Sequence, residues 1–131
     1  MTLKAVDDGF VLNHEHGTMK INKSGDFRPG DLLEISIGAC SAMTFRTLLD
    51  RRKIQYSELT VDTDKVRAKE EPLPIRKVGV HFTLKGTDLD EKLIRRLFNH
   101  VYSNCTIAQS VKGAIEVEET LDIVQEQTAS R

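Results

Sequence analysis

The two cysteines, Cys40 and Cys105, are the residues whose type is best suited to chemistry. A thiolate attacks peroxide oxygen, disulfide sulfur or an electrophilic carbon, whereas a thiol packed among apolar groups is an inert small hydrophobe. Cys40 stands in Ile37-Gly38-Ala39-Cys40-Ser41-Ala42-Met43, where small neighbours on both sides let another backbone or a substrate come close. Cys105 stands in Asn104-Cys105-Thr106-Ile107, at a predicted break between helical segments, where amides of a new helix can stabilise a thiolate. Two cysteines in 131 residues are too few for a disulfide scaffold, and in a reducing compartment such a pair is more often free, catalytic or redox-sensing than structural.

The histidines offer less. In His14-Glu15-His16 the two imidazoles share a face if the segment is a strand, but they have no third ligand in reach, so a solvated edge is expected and no metal. His81 alternates with Val80 and Phe82 and should face outward, while His100 lies in the helix that leads to Cys105. No glycine-rich nucleotide loop is present and no cofactor is implied.

The elements that must position the thiols follow from periodicity. Phe10-Val11-Leu12 and Met19-Lys20-Ile21 read as a hairpin around Glu15-His16-Gly17. Pro29 opens the strongest helical signal, with Asp31 and Glu34 in the early turns and Arg51-Arg52-Lys53 at the end, as the helix dipole favours. Leu33, Ile37, Cys40 and Met43 form one stripe, but apolar residues surround the helix, so it is expected to be central and covered on both sides. Leu59–Arg67 and Ile75–Lys85 alternate as two half-buried antiparallel strands. Leu89 to Tyr102 returns to helical period with Asp88 as its cap, a short helix covers Ile107 to Val111, and Gly113 stops it. Ile115, Val117, Leu121 and Ile123 make a last strand. The order predicts an α+β fold with antiparallel sheets, one domain over residues 1–124 and a solvated tail over 125–131.

Composition narrows the partners. With 19 basic and 20 acidic residues the formal charge is -1, so no whole-protein field draws in nucleic acid or a membrane surface. The start, Met1 to Asp8, carries acidic residues where a signal peptide needs an apolar core, and no stretch reaches bilayer-spanning apolar length; the reading is cytoplasmic.

Taken together, Pro29-Gly30-Asp31-Leu32-Leu33 through Gly38-Ala39-Cys40, followed by Asn104-Cys105-Thr106-Ile107, resemble the OsmC-like family of organic hydroperoxide resistance proteins. The resemblance runs from about residue 10 to 124. It implies an intertwined homodimer with long central helices wrapped by sheets. It also implies reduction of organic hydroperoxides at the expense of a dithiol reductant, with Cys40 peroxidatic and Cys105 resolving.

The sequence departs from that pattern in two places. The peroxidase branch lowers its thiol pKa with an upstream arginine held by a glutamate, but Gly30 stands at the glutamate's position and no arginine precedes Arg28. Asp31 or Glu34 as carboxylate, and Arg28, Lys20 or Lys23 as cation, are the available substitutes. Thr106 stands where many relatives carry proline. A second expectation is therefore a non-peroxidatic relative that binds a small hydrophobic or electrophilic ligand in a cleft at the dimer interface.

Overall fold

The computed structural model describes residues 1–127, which fall into two compact units, Met1–Ile35 and the chain from Ser36 onward. In the first, strands β1 (Thr2–Val6), β2 (Gly9–His14) and β3 (Gly17–Asn22) form an antiparallel sheet in that order. The expected hairpin is present, with His14 paired to Gly17 across Glu15-His16, and Gly17 adopts the positive φ of 144° that such a tight connection demands. Strand β1 was not legible: all five residues are exposed, so no alternation marks it, and its ladder with β2 from Thr2↔Asn13 to Val6↔Gly9 is what makes it a strand.

After β3 the buried side chain of Asn22 gathers the turn that leads to the long helix. Its amide donates to Asp26 Oδ2 at 2.8 Å, and its oxygen accepts from the backbone N–H groups of Ser24 and Asp26 at 3.0 and 3.3 Å. Such an Asx turn satisfies backbone groups that no strand can reach.

Helix α1 covers Pro29–Arg51, as its proline and charge signals predict, and the Arg28 N–H donates to Asp31 Oδ2 at 3.1 Å to close its first turn. Its buried stripe is Ile37 with Gly38, then Ser41, Phe45 and Leu49 at steps of three or four residues. The expected stripe of Leu33, Ile37, Cys40 and Met43 holds only at Ile37, because a helix apolar all round gives no signal for which side meets the sheet. Gly38 is buried against Thr63, whose Cγ2 a Cβ would approach to 2.5 Å. Against expectation, α1 is long and apolar enough to cross a membrane by length and composition, but Phe45 and Leu49 are fully buried in the protein core.

In the second unit β4 (Glu58–Arg67), β5 (Ile75–Gly86) and β6 (Glu116–Gln125) lie side by side in that order. The β4–β5 pair is antiparallel as expected, but β5 and β6 are parallel, which corrects the expectation of antiparallel sheets at this one pair within the α+β fold. Helices α2 (Glu91–Phe98), α3 (Val101–Asn104) and α4 (Thr106–Ser110) carry the chain between them, and a helical crossover returns a strand in the same direction. The cap of α2 is Asp90, whose carboxylate accepts from Leu93 N–H at 3.2 Å, and not Asp88, which takes a φ of 55°. Strand β6 reaches Gln125, whose side chain bonds both the N–H and the carbonyl of Leu89, so the tail starts later than residue 125 and its last four residues lie outside those described. The core contains Val78, Val80, Phe82 and Leu84 of β5, and Phe45, Phe82 and Phe98, one ring each from α1, β5 and α2, meet edge to face at 5.3–5.4 Å.

Candidate active site

Three elements bring their polar side chains together under the sheet. Ser41 comes from the buried stripe of α1 and has no solvent exposure. Cys105, also fully buried, is the N-cap of α4, with extended backbone and a sulfur that accepts the Ala108 N–H at 3.4 Å. Glu119 comes from β6, where Val117, Glu119, Leu121 and Ile123 take the inward positions and Glu116, Glu118, Thr120 and Asp122 the outward ones. The Ser41 hydroxyl stands 2.7 Å from Glu119 Oε2 and 3.5 Å from Cys105 Sγ, so one hydroxyl joins a carboxylate to a thiol.

Cys40 precedes Ser41 and is partly exposed, opening on a shallow groove with Ser36, Ala39, Met43, Thr44 and Thr47. Both thiols are free, and Cys40 is close enough to act on Cys105 by side-chain hydrogen bonding and by charge. Burial pushes the Cys105 thiol above its ordinary value, the Ala108 N–H and Ser41 oppose that, and Cys40 adds to the rise. Burial likewise raises Glu119 above the usual carboxylate range, against the Ser41 hydrogen bond. No cation is among the groups that shift either one.

The arrangement thus pairs an accessible sulfur with a buried one. The accessible thiol can meet a solute, and the buried one can react only with a partner already beside it.

The expected supporting residues belong to the N-terminal unit, where Lys20 and Asp31 have other engagements. Lys20 Nζ lies 3.3 Å from Asp8 and 4.0 Å from Asp26, and Asp31 holds the Arg28 N–H in the first turn of α1. Glu34 is half-buried on the following turn and the Arg28 side chain is exposed. His81 faces outward as expected, hydrogen-bonded to Thr120 and to Asp122, the latter at 3.0 Å. His100 is exposed and its carbonyl, not its ring, accepts from Asn104 at 2.7 Å. His16 N–H donates to His14 Nδ1 at 3.2 Å, and among the described residues no group of three potential ligands is placed to hold a metal.

Ser41 and Glu119 were missed by sequence reasoning. A signal existed for Glu119: it interrupts an apolar alternation with a carboxylate on the inward face, which is rare unless a partner is waiting there. Ser41 offered none, because a serine in a small-residue stretch reads as packing.

The fold matches solved structures closely. A hypothetical protein from Aquifex aeolicus VF5 superposes with a TM-score of 0.85 at 16% identity, covering 96% of each chain. The organic hydroperoxide resistance protein OhrB of Bacillus subtilis superposes with a TM-score of 0.63 at 16% identity, covering 93% of this chain and 98% of its own. Protein YhfA of Escherichia coli K12 is 21% identical over 112 residues, spanning 83% of this chain and 84% of its own length. The family model for OsmC-like protein matches residues 22–120. The chain belongs to the OsmC-like family.

Proposed function

We propose that this OsmC-like protein is a thiol redox protein that reduces organic hydroperoxides through Cys40 and Cys105. The observation that carries this reading is the pairing of a partly exposed Cys40 with a fully buried Cys105 whose thiol it perturbs. Cys40 thiolate attacks the hydroperoxide, the O–O bond breaks, an alcohol leaves, and Cys40 becomes a sulfenic acid. Cys105 then attacks the Cys40 sulfur, water leaves, and a disulfide remains for a dithiol reductant to reopen. The organic hydroperoxide resistance protein of B. subtilis supports the assignment by fold alone.

The working form in this reading is a cytoplasmic homodimer. Ile35 and Met43 of α1 are 54% and 69% exposed, a wasteful place for large apolar side chains unless a second copy covers them. Sedimentation equilibrium should show a dimer that Met43→Glu weakens; a wild-type monomer at micromolar concentration defeats the dimer.

A second reading has its own support. The groove at Cys40 has no cation among its lining residues, and Gly30 replaces the carboxylate of the peroxidase branch, so the cleft would bind a small hydrophobic or electrophilic ligand without turnover. Consumption of cumene hydroperoxide by reduced protein with excess dithiol separates the two. Turnover lost in Cys40→Ser, and slowed with sulfenic acid accumulating in Cys105→Ser, is the expected result. A wild type no faster than buffer leaves the binding reading.

A further inference from the structure

The Ser41–Glu119 contact has no part in the scheme above, yet it links a carboxylate to the buried thiol. Ser41 has a single hydroxyl proton and two neighbours that can use it. While Glu119 is ionised, the 2.7 Å contact takes that proton and leaves a lone pair of Ser41 toward the Cys105 S–H. If Cys105 loses its proton to Ser41 as Ser41 gives its own to Glu119, the site ends with a thiolate, a neutral acid and the same net charge. A buried pocket tolerates such an exchange far better than a second charge.

We propose that Glu119 is the proton acceptor for Cys105, reached through the Ser41 hydroxyl, when Cys105 closes the disulfide with Cys40. Cys105 is fully buried, so water cannot collect its proton directly. The groups around the carboxylate leave it free for this task. Arg95 of α2 donates to the Leu121 carbonyl at 3.3 Å, and Lys77 of β5 binds Glu118, whose side chain points to the opposite face of β6. Val80 is its neighbour across the β5–β6 ladder, and Ser41 joins it to the titratable Cys105, which Cys40 in turn perturbs. Burial holds Glu119 above the usual carboxylate range, which makes it a better base than a solvated glutamate.

The inference rests on the dithiol reading but not on hydroperoxide as oxidant, so its test uses a different one. Dithionitrobenzoate added to reduced protein should take the accessible Cys40 first, releasing one thionitrobenzoate and leaving a mixed disulfide. Attack by Cys105 then forms the Cys40–Cys105 bond and releases a second thionitrobenzoate, while the Cys105 proton goes to Glu119. The wild-type rate of the second release should rise with pH through the Glu119 titration. Glu119→Gln should slow it about tenfold or more at neutral pH and abolish that titration, with the first release unchanged. Ser41→Ala, which keeps both titrating groups, should slow the second release similarly, and circular dichroism confirms that each variant is folded. A second release in Glu119→Gln as fast as wild type or faster, with the wild-type pH profile, overturns the relay. No second release in the wild type overturns the dithiol reading and the relay together, whereas a normal second release without hydroperoxide turnover overturns the peroxidase alone.

Discussion

The N-terminal sheet and the C-terminal sheet are built on opposite terms. Before Ile35 the only buried side chain is the polar Asn22, while Leu3, Val6, Phe10 and Phe27 are exposed. From Ser36 onward the chain buries Ile37, Phe45, Leu49, Ile94, Val101 and a full face of β5. One unit is held by a strand ladder and an Asx turn, the other by apolar burial, and both cysteines sit in the second. A site that must keep one sulfur dry needs the kind of core that only the second unit has.

The sharpest way to break that contrast is a pair of truncations. Phe45→Ala should cost about 3–5 kcal/mol, because it removes one fully buried ring of the aromatic triad, whereas Phe10→Ala should cost well under half as much. Urea unfolding measures both; equal losses would mean that the N-terminal sheet has a covering that this chain alone does not supply. Asn22→Ala should cost about 1–3 kcal/mol by removing the acceptor of two backbone N–H groups, with amide exchange accelerated between residues 22 and 26. Unchanged exchange there would deny the Asx turn its role.

A smaller effect tests the polar element inside the second unit. The Glu119 carboxyl titrates higher in the folded chain than in the unfolded one. Its contribution to stability is therefore fully present below the ordinary carboxylate range and is lost as pH rises through the raised value. Glu119→Gln, which mimics the neutral acid, should match wild type in acid and become the more stable protein toward neutrality. A stability difference that does not change with pH would show that Glu119 is as well solvated folded as unfolded.

Much of the fold was legible because it rests on local patterns. Pro29 with its early acids and terminal bases marked α1 to both ends, and strict alternation marked β4 and β5. Patterns without contrast failed. β1 has no buried face to alternate, α1 is apolar on every side, and the direction of β6 beside β5 depends on a crossover that no residue in β6 records. At the site, Cys40 and Cys105 were found by residue type and by the resemblance of their surroundings. Ser41 and Glu119 were not, because each acquires its role from a partner distant in the chain.

The sequence by itself determined the two thiols, the helix that carries one of them, the break that carries the other, and the family to which that order belongs. Those follow from local propensity and periodicity, which act over a few residues. Only the tertiary structure decided which face of α1 is buried, that Cys40 keeps an opening while Cys105 has none, and that a serine and a glutamate meet beside the buried sulfur. Burial and desolvation belong to the packed whole, and they set the reactivity of a thiol that its own neighbours in sequence leave undecided.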